Sequence, residues 1–184
     1  FGTSELTNFT SNAMDIYELN QTVYIVTAYQ EGKILSCSKL SSLKECVAVV
    51  KSTAKAVEKI HRSGYLCLDI KPENIFLLTG TTEMIQLFDF DSFVPIDAFE
   101  GDCEYKISYT RGFSALELQM GIQKKIGKQT DVYSVGALLF YLIFGTVPTA
   151  LDSEIDAKYS YEESKYAAKT FQDKMYDELT DFFR

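Results

Sequence analysis

Residues 65–78 read YLCLDIKPENIFLL. Lys71 and Asn74 stand two and five positions after Asp69, so three polar groups of different chemistry interrupt what otherwise reads as two buried strands. If the chain is extended between them, the side chains of Asp69 and Lys71 project to the same side. A carboxylate beside an ammonium can take a proton from a hydroxyl while the cation holds a developing negative charge. Asn74 adds a neutral oxygen suited to Mg²⁺. Further on, LFDFDS at 87–92 places Asp89 at the end of another apolar run. A second ligand delivered by a neighbouring strand can share one divalent cation, because Mg²⁺ prefers one or two carboxylates together with phosphate oxygens. Taken alone, Asp69 and Lys71 are equally a surface salt pair on a turn, and Asp89 and Asp91 solvated turn residues.

Outward from this stretch, the periodicity sorts the chain into elements. MDIYEL (14–19) and TVYIVTAY (22–29) alternate and are rich in aromatic and β-branched residues, with Asn20 and Gln21 between them, which predicts a β-hairpin. Gly32 then interrupts the pattern. From Ser42 the period changes: Leu43, Cys46, Val47, Val50, Ala54, Val57 and Ile60 follow the three- and four-residue steps of an amphipathic helix. Ser42 with Glu45 reads as a capping box, and Gly64 is placed to close the helix in a left-handed conformation. Short β-like runs follow at 65–68, 75–78 and 84–88, the last two joined by TGTTE. Between about 91 and 114 periodicity lapses, which predicts a long loop of the kind that is usually functional. DVYSVGALLFYLIF (131–144) is apolar on almost every face and predicts a central buried helix. Residues 151–184 read as one or two acidic surface helices.

Composition bounds the setting. The 184 residues are 46% apolar, enough for one sizeable core. A formal charge of −8 argues against nucleic acid or an anionic membrane as the main partner, since both attract basic surfaces. Cys37, Cys46, Cys67 and Cys103 contain no CxxC pair, so free thiols are expected rather than a zinc site or a disulfide framework. No signal-like start and no apolar run of spanning length is present, which predicts a cytoplasmic protein. The single histidine, His61, leaves little material for a metal site or a histidine-based triad.

D-x-K-P-x-N followed by D-F-x resembles the catalytic loop and metal-binding motif of the protein kinases, in which the loop Asp is the base and the loop Asn and the second Asp hold magnesium. Position by position, the resemblance implies that Asp69 orients and deprotonates the substrate hydroxyl and Lys71 steadies the transferred phosphoryl group. It gives Asn74 and Asp89 the metal ions. Further segments agree in order. Thr27, Ala28, Tyr29 and Gln30 resemble a small gatekeeper and an adenine-binding hinge, and the resemblance adds Phe76 to the nucleotide-binding set. TRGFSALE (110–117) resembles the end of the activation segment, where Thr110 would contact Asp69 and Lys71, and DVYSVG resembles the central helix whose Asp131 fastens the catalytic loop. The lysine two after the base points to the Ser/Thr branch. Implied are an α+β, kinase-like fold, ATP and Mg²⁺ as cofactors, and a protein substrate bearing Ser or Thr.

The departures bear on activity and control. Cys67 and Leu68 stand where the family has His and Arg, so the arginine that pairs with an activation-loop phosphate is absent. Asp91 replaces the glycine of DFG, Leu116 replaces the proline of A-P-E, and Glu117 lacks its usual arginine. No glycine-rich phosphate loop or strand lysine precedes the hairpin, and Phe1–Asn12 show no such pattern. On this reading residues 1–31 are a remnant of the N-terminal lobe with the hinge, 32–184 are the C-terminal lobe, and the remaining N-lobe residues come from the parent chain. Two functions from different classes remain: the catalytic lobe of an ATP-dependent Ser/Thr kinase, and a pseudokinase or truncated binding module without catalysis.

Overall fold

The structure, a computed structural model, describes residues 13–80, 84–99, 105 and 107–148. The acidic helices expected over 151–184, the Phe1–Asn12 segment, Gly101, Cys103 and most of the TGTTE loop lie outside them. Strands β1 (Ala13–Leu19) and β2 (Thr22–Thr27) form the antiparallel hairpin that alternation predicts. Asn20 and Gln21 both take positive φ, 52° and 61°, as a two-residue turn matched to the twist of its strands requires. The second strand ends at Thr27 rather than Tyr29. The hairpin's described side chains are exposed on both faces, Ile16, Val23 and Ile25 among them, and Tyr17 stacks on Tyr24 at 5.6 Å.

Gly32 opens a strand instead of ending a pattern. β3 (Gly32–Ile34) lies at the edge of an antiparallel sheet ordered β3-β5-β6, with β5 (Ile75–Leu78) in the centre and β6 (Ile85–Leu87) beyond it. The reason for glycine is close approach: a Cβ at position 32 would run into the Leu77 carbonyl oxygen and the Phe76 ring. The run expected at 65–68 is shorter. β4 (Tyr65–Leu66) pairs with β7 (Val94–Pro95), a strand that lies in the stretch read as loop.

Helix α1 (Leu43–Arg62) carries both predicted signatures. Ser42 Oγ accepts from the Glu45 N–H at 3.2 Å, Glu45 Oε2 accepts from the Ser42 N–H at 3.3 Å, and Gly64 follows the last turn with φ 86°. The carboxylate also takes the Ser41 N–H at 2.6 Å, and these bonds, led by Ser41, hold the Glu45 carboxyl below the usual glutamate range. The buried stripe is wider than periodicity suggested and shifted in part. Val47 and Ala54 are exposed, whereas Val49, Thr53 and Ala56 are buried. After the short α2 (Leu116–Gln119), helix α3 (Lys128–Phe144) starts three residues before Asp131 and packs on α1. It is not buried all round, since Val132 faces solvent. Ile60, Ile75, Ile85 and Leu138 belong to the main core between these helices and the three-stranded sheet, and Leu43 packs with Ile143 and Phe144 at the far end of the helices.

One buried carboxylate ties this core to the stretch that opened the sequence reading. Asp131, 0% exposed at the start of α3, accepts the N–H of Cys67 through Oδ2 and that of Leu68 through Oδ1, both at 2.8 Å. Its Oδ2 also receives His61 Nε2 at 2.7 Å; because a carboxylate only accepts, that ring nitrogen carries the proton. Leu68 sits at φ 60°, a left-handed conformation that costs a branched residue about 1–3 kcal/mol. It is retained because its N–H is fixed and its side chain is buried among Leu66, Phe99, Leu118 and Ile126.

Asp131→Ala would orphan two buried N–H donors and the His61 ring, and a loss of about 3–5 kcal/mol is expected in denaturant unfolding. Amide exchange at Cys67 and Leu68 should accelerate more than in β5, and equal protection in both places would remove Asp131 as the anchor. Ser42→Ala should cost about 1 kcal/mol by loss of the cap. Because the folded carboxyl of Glu45 titrates lower than the unfolded one, its stabilisation is complete above about pH 4.5 and is lost as pH falls through the folded value. A Glu45→Gln variant should show a flatter midpoint-against-pH profile on the acid side; an unchanged profile would place the acid sensitivity elsewhere.

Candidate active site

The segment that leaves β4 cannot continue as strand once Leu68 turns left-handed, and the chain runs irregularly to Ile70 before a single tight turn at Pro72–Asn74 leads into β5. Asp69 therefore projects from a loop fixed on one side by Asp131 and on the other by the central strand. Ser92 adds a third restraint by donating its hydroxyl to the Cys67 carbonyl at 2.8 Å.

Three side chains converge on the Asp69 carboxylate. Lys71 Nζ lies 2.6 Å from Oδ2, Asn74 Nδ2 donates to Oδ2 and to the Asp69 carbonyl, both at 2.9 Å, and the Thr110 hydroxyl donates to Oδ1 at 2.8 Å. Lys71 Nζ also reaches the Thr110 hydroxyl at 3.3 Å, so Thr110 sits between the carboxylate and the ammonium across forty-one residues of sequence. The group is partly buried: the Asp69 and Lys71 side chains are 13% and 21% exposed. A carboxylate held this way has one orientation and still meets solvent on one side. Oδ1 accepts a single bond from these partners, which leaves it a lone pair for another hydroxyl.

Asp89 is placed by the sheet. Ile75 pairs with Leu87, and the Phe88 N–H donates to the Asn74 carbonyl at 3.2 Å, so Asp89 is the next residue past Asn74's partner. Its φ of 64° turns the chain away from the strand at that point. The exposed Asp89 carboxylate makes no hydrogen bond or ion pair with the described residues. Asn74 is oriented by the same chemistry that orients Asp69. Both oxygens facing its amide are acceptors, so the NH₂ must point at them and Oδ1 points elsewhere. This donor set fits a hard divalent cation, with one carboxylate and one amide oxygen uncommitted to Asp69.

The nucleotide-side residues are not joined to this cluster. Thr27 ends β2, Ala28, Tyr29 and Gln30 follow it as exposed irregular chain, and Tyr29 is 91% exposed. Phe76 is half-buried in β5, opposite Ile34. A separate cleft of about 620 Å³, lined by residues such as Lys33, Lys39, Leu40 and Leu77, involves none of the catalytic-loop positions.

Several supporting residues escaped the sequence reading. His61, set aside as the lone histidine, packs on Asp131; its spacing four residues past Val57, on the buried stripe of α1, was the available signal. Ser114 Oγ receives the Thr110 N–H at 2.9 Å. Glu117, expected to lack its usual arginine, accepts the Thr130 hydroxyl at 2.8 Å, and Thr130 in turn accepts the Gly127 N–H at 3.1 Å. Nothing in the spacing of those residues announces the pair.

Comparison with known proteins agrees with this geometry. The protein kinase domain family matches residues 7–183. The chain is 32% identical over 148 residues to calcium-dependent protein kinase 31 of Arabidopsis thaliana, covering 75% of this chain and 29% of that protein. It is 32% identical over 145 residues to human ribosomal protein S6 kinase alpha-3, covering 74% of this chain and 19% of the other. Similarity to the smooth-muscle myosin light chain kinase of Gallus gallus is 29% over 139 residues, covering 75% of this chain and 7% of that protein. The chain thus spans less than a third of the length of these curated relatives. With Lys71, Asn74 and Thr110 gathered on Asp69, and the family match running over nearly its whole length, the chain belongs to the protein kinase domain family.

Proposed function

We propose that this chain supplies the catalytic lobe of a Ser/Thr protein kinase, transferring the terminal phosphoryl group of ATP to a Ser or Thr hydroxyl of a protein substrate. The observation that carries the reading is the Asp69 carboxylate held at once by Lys71, Asn74 and the Thr110 hydroxyl. A scaffold without chemistry has no physical need for a half-buried carboxylate aimed by three separate donors.

In this reading Asp69 Oδ1 accepts the hydrogen of the substrate hydroxyl and takes its proton as the oxygen attacks. Its hydrogen bond to Thr110 supports that role, since it is already made to an aliphatic alcohol. Lys71 steadies charge on the transferred group from 2.6 Å beside the base. Asn74 Oδ1 and the Asp89 carboxylate are the residues that would hold Mg²⁺, which supplies neutralisation of phosphate charge when bound. Thr27, Ala28, Tyr29 and Gln30 would meet the adenine through backbone groups, with Phe76 as part of the same pocket. The three described cysteines are free thiols, which suits the cytoplasmic setting that belongs to this reading. Among the described residues no helix is long and apolar enough to cross a membrane.

In the full-length polypeptide, Asp69→Asn should reduce phosphate incorporation into Ser/Thr peptides by about 10²–10⁴-fold while leaving the fold intact. Incorporation at the unsubstituted rate would defeat the assignment. MgATP at 100 times its dissociation constant should stabilise the protein by about 2.7 kcal/mol in thermal unfolding. Asp89→Asn should remove most of the Mg²⁺ dependence of that shift. A protein that shows no shift at any nucleotide concentration is not the enzyme proposed.

A further inference from the structure

The cleft beside the three-stranded sheet shares no residue with the Asp69 cluster and has no part in phosphate transfer as proposed above. Its volume of about 620 Å³ lies within the range of sites that hold a ligand. On one side it is lined by Gly32 and Lys33 of β3, on the other by the end of β5 with Thr79 and Gly80. The Thr79 N–H donates to the Glu31 carbonyl at 2.8 Å, which ties the two sides together. Apolar surface comes from Leu77, which is buried, and from Leu40, which packs on both of the larger core clusters.

Charge, backbone and lining chemistry each narrow what fits. Lys33 and Lys39 both line the cleft, are exposed, and make no ion pair or hydrogen bond with the described residues. The one carboxylate in the lining, Glu45, is already committed to three donors, the N–H groups of Ser41 and Ser42 and the Ser41 hydroxyl. With exposed Glu31 and Lys44 included, residues 31–45 carry three cations and two carboxylates, in a chain whose formal charge is −8. Among the described residues β3 pairs only with β5, so it is an edge strand against which another extended chain can lie. Of its outer backbone, the Ile34 carbonyl is taken by the Ser38 hydroxyl at 2.9 Å. The described lining holds no aromatic ring on which a base could stack and no guanidinium to grip a phosphate bidentately.

We propose that this cleft docks an extended segment of a partner protein in which carboxylates alternate with aliphatic residues. Alternation matters because successive side chains of an extended chain point to opposite sides, so one side can meet Lys33 and Lys39 while the other lies on Leu40 and Leu77. Two separate ammonium groups suit carboxylates spaced along a chain. Docking here needs neither nucleotide nor Asp69, so it stands apart from the kinase reading.

Fluorescein-labelled peptides alternating Leu with Asp, with Asn or with Lys would be titrated by anisotropy into the full-length polypeptide without nucleotide. The parent should prefer the Asp peptide to the Asn peptide by about fivefold, the scale of two exposed charge pairs. Raising the salt from about 0.05 M to about 0.5 M should shrink that preference. In the double variant Lys33→Glu with Lys39→Glu the order should invert in favour of the Lys peptide. The bound Asp peptide should slow amide exchange at residues 32–34 and 78–80 and leave 69–74 as it was. Because both lysines are exposed, thermal midpoints should be common to parent and variant. Equal affinities for the Asp and Asn peptides in the parent, a preference that the double reversal leaves in place, or protection confined to other elements overturns the proposal. Two other occupants have their own signatures, and either one overturns the partner assignment. A second copy in the cleft makes the parent dimerise in sedimentation where the double variant does not. The chain's own acidic residues 151–184 in the cleft protect the amides at 32–34 without any peptide, and the double reversal removes that protection. None of these outcomes bears on phosphate transfer, which Asp69→Asn tests separately.

Discussion

The loop that carries Asp69 depends on a carboxylate outside the Asp69 cluster. Asp131 is removed from water and tolerates this only because its two oxygens receive three donors, two from the backbone just before Asp69 and one from His61 on α1. The arrangement joins three elements: the last turn of α1, the first turn of α3 and the loop between β4 and β5. It also supports a left-handed Leu68 that local preference would expel. Each hydrogen bond is of ordinary strength, but losing the acceptor would strand every donor at once, which makes the link stiff rather than merely favourable. Positioning of Asp69 is thus a property of the core as much as of the site.

Legibility followed interaction range. Helix α1 could be read with its caps because Ser42, Glu45 and Gly64 act within a few residues of one another. The hairpin turn at Asn20 and Gln21 was legible for the same reason. Asp69, Lys71 and Asn74 were named through motif order, and hydrogen bonds bring Lys71 and Thr110 to Asp69 as the resemblance implied, with Asn74 joining them on the same carboxylate. What escaped was set by distant partners. Gly32 is a strand residue only because β5 passes too close for a side chain, and Val94–Pro95 are a strand only because Tyr65–Leu66 lie beside them. The phase of α1 slipped at Val47 and Ala54 because burial there is decided by where α3 and the sheet lie, not by hydropathy.

Departures from the family pattern look different once neighbours are known. Glu117 without its arginine is not an orphan, since a threonine hydroxyl takes over one of its bonds, although a neutral donor holds a carboxylate less firmly than a guanidinium does. Asp91 in place of glycine is compatible with the turn because the left-handed residue is Asp89, two positions earlier. Cys67, in place of histidine, lends its backbone to the Asp131 anchor, and burial with the nearby Asp131 charge raises its thiol well above the usual range. Cys46, desolvated between α1 and α3, is pushed up to about 12.

Those two silent thiols give the protein internal clocks. Both react slowly with an alkylating reagent while folded, because the nucleophile is the thiolate and burial favours the neutral, covered thiol. Cys46 packs with Leu43, Phe140, Ile143 and Phe144 at the far end of the two long helices, whereas Cys67 lies in the main core just before Asp69. Their labelling rates therefore compare opening at the far end of the helices with opening of the core beneath the Asp69 loop.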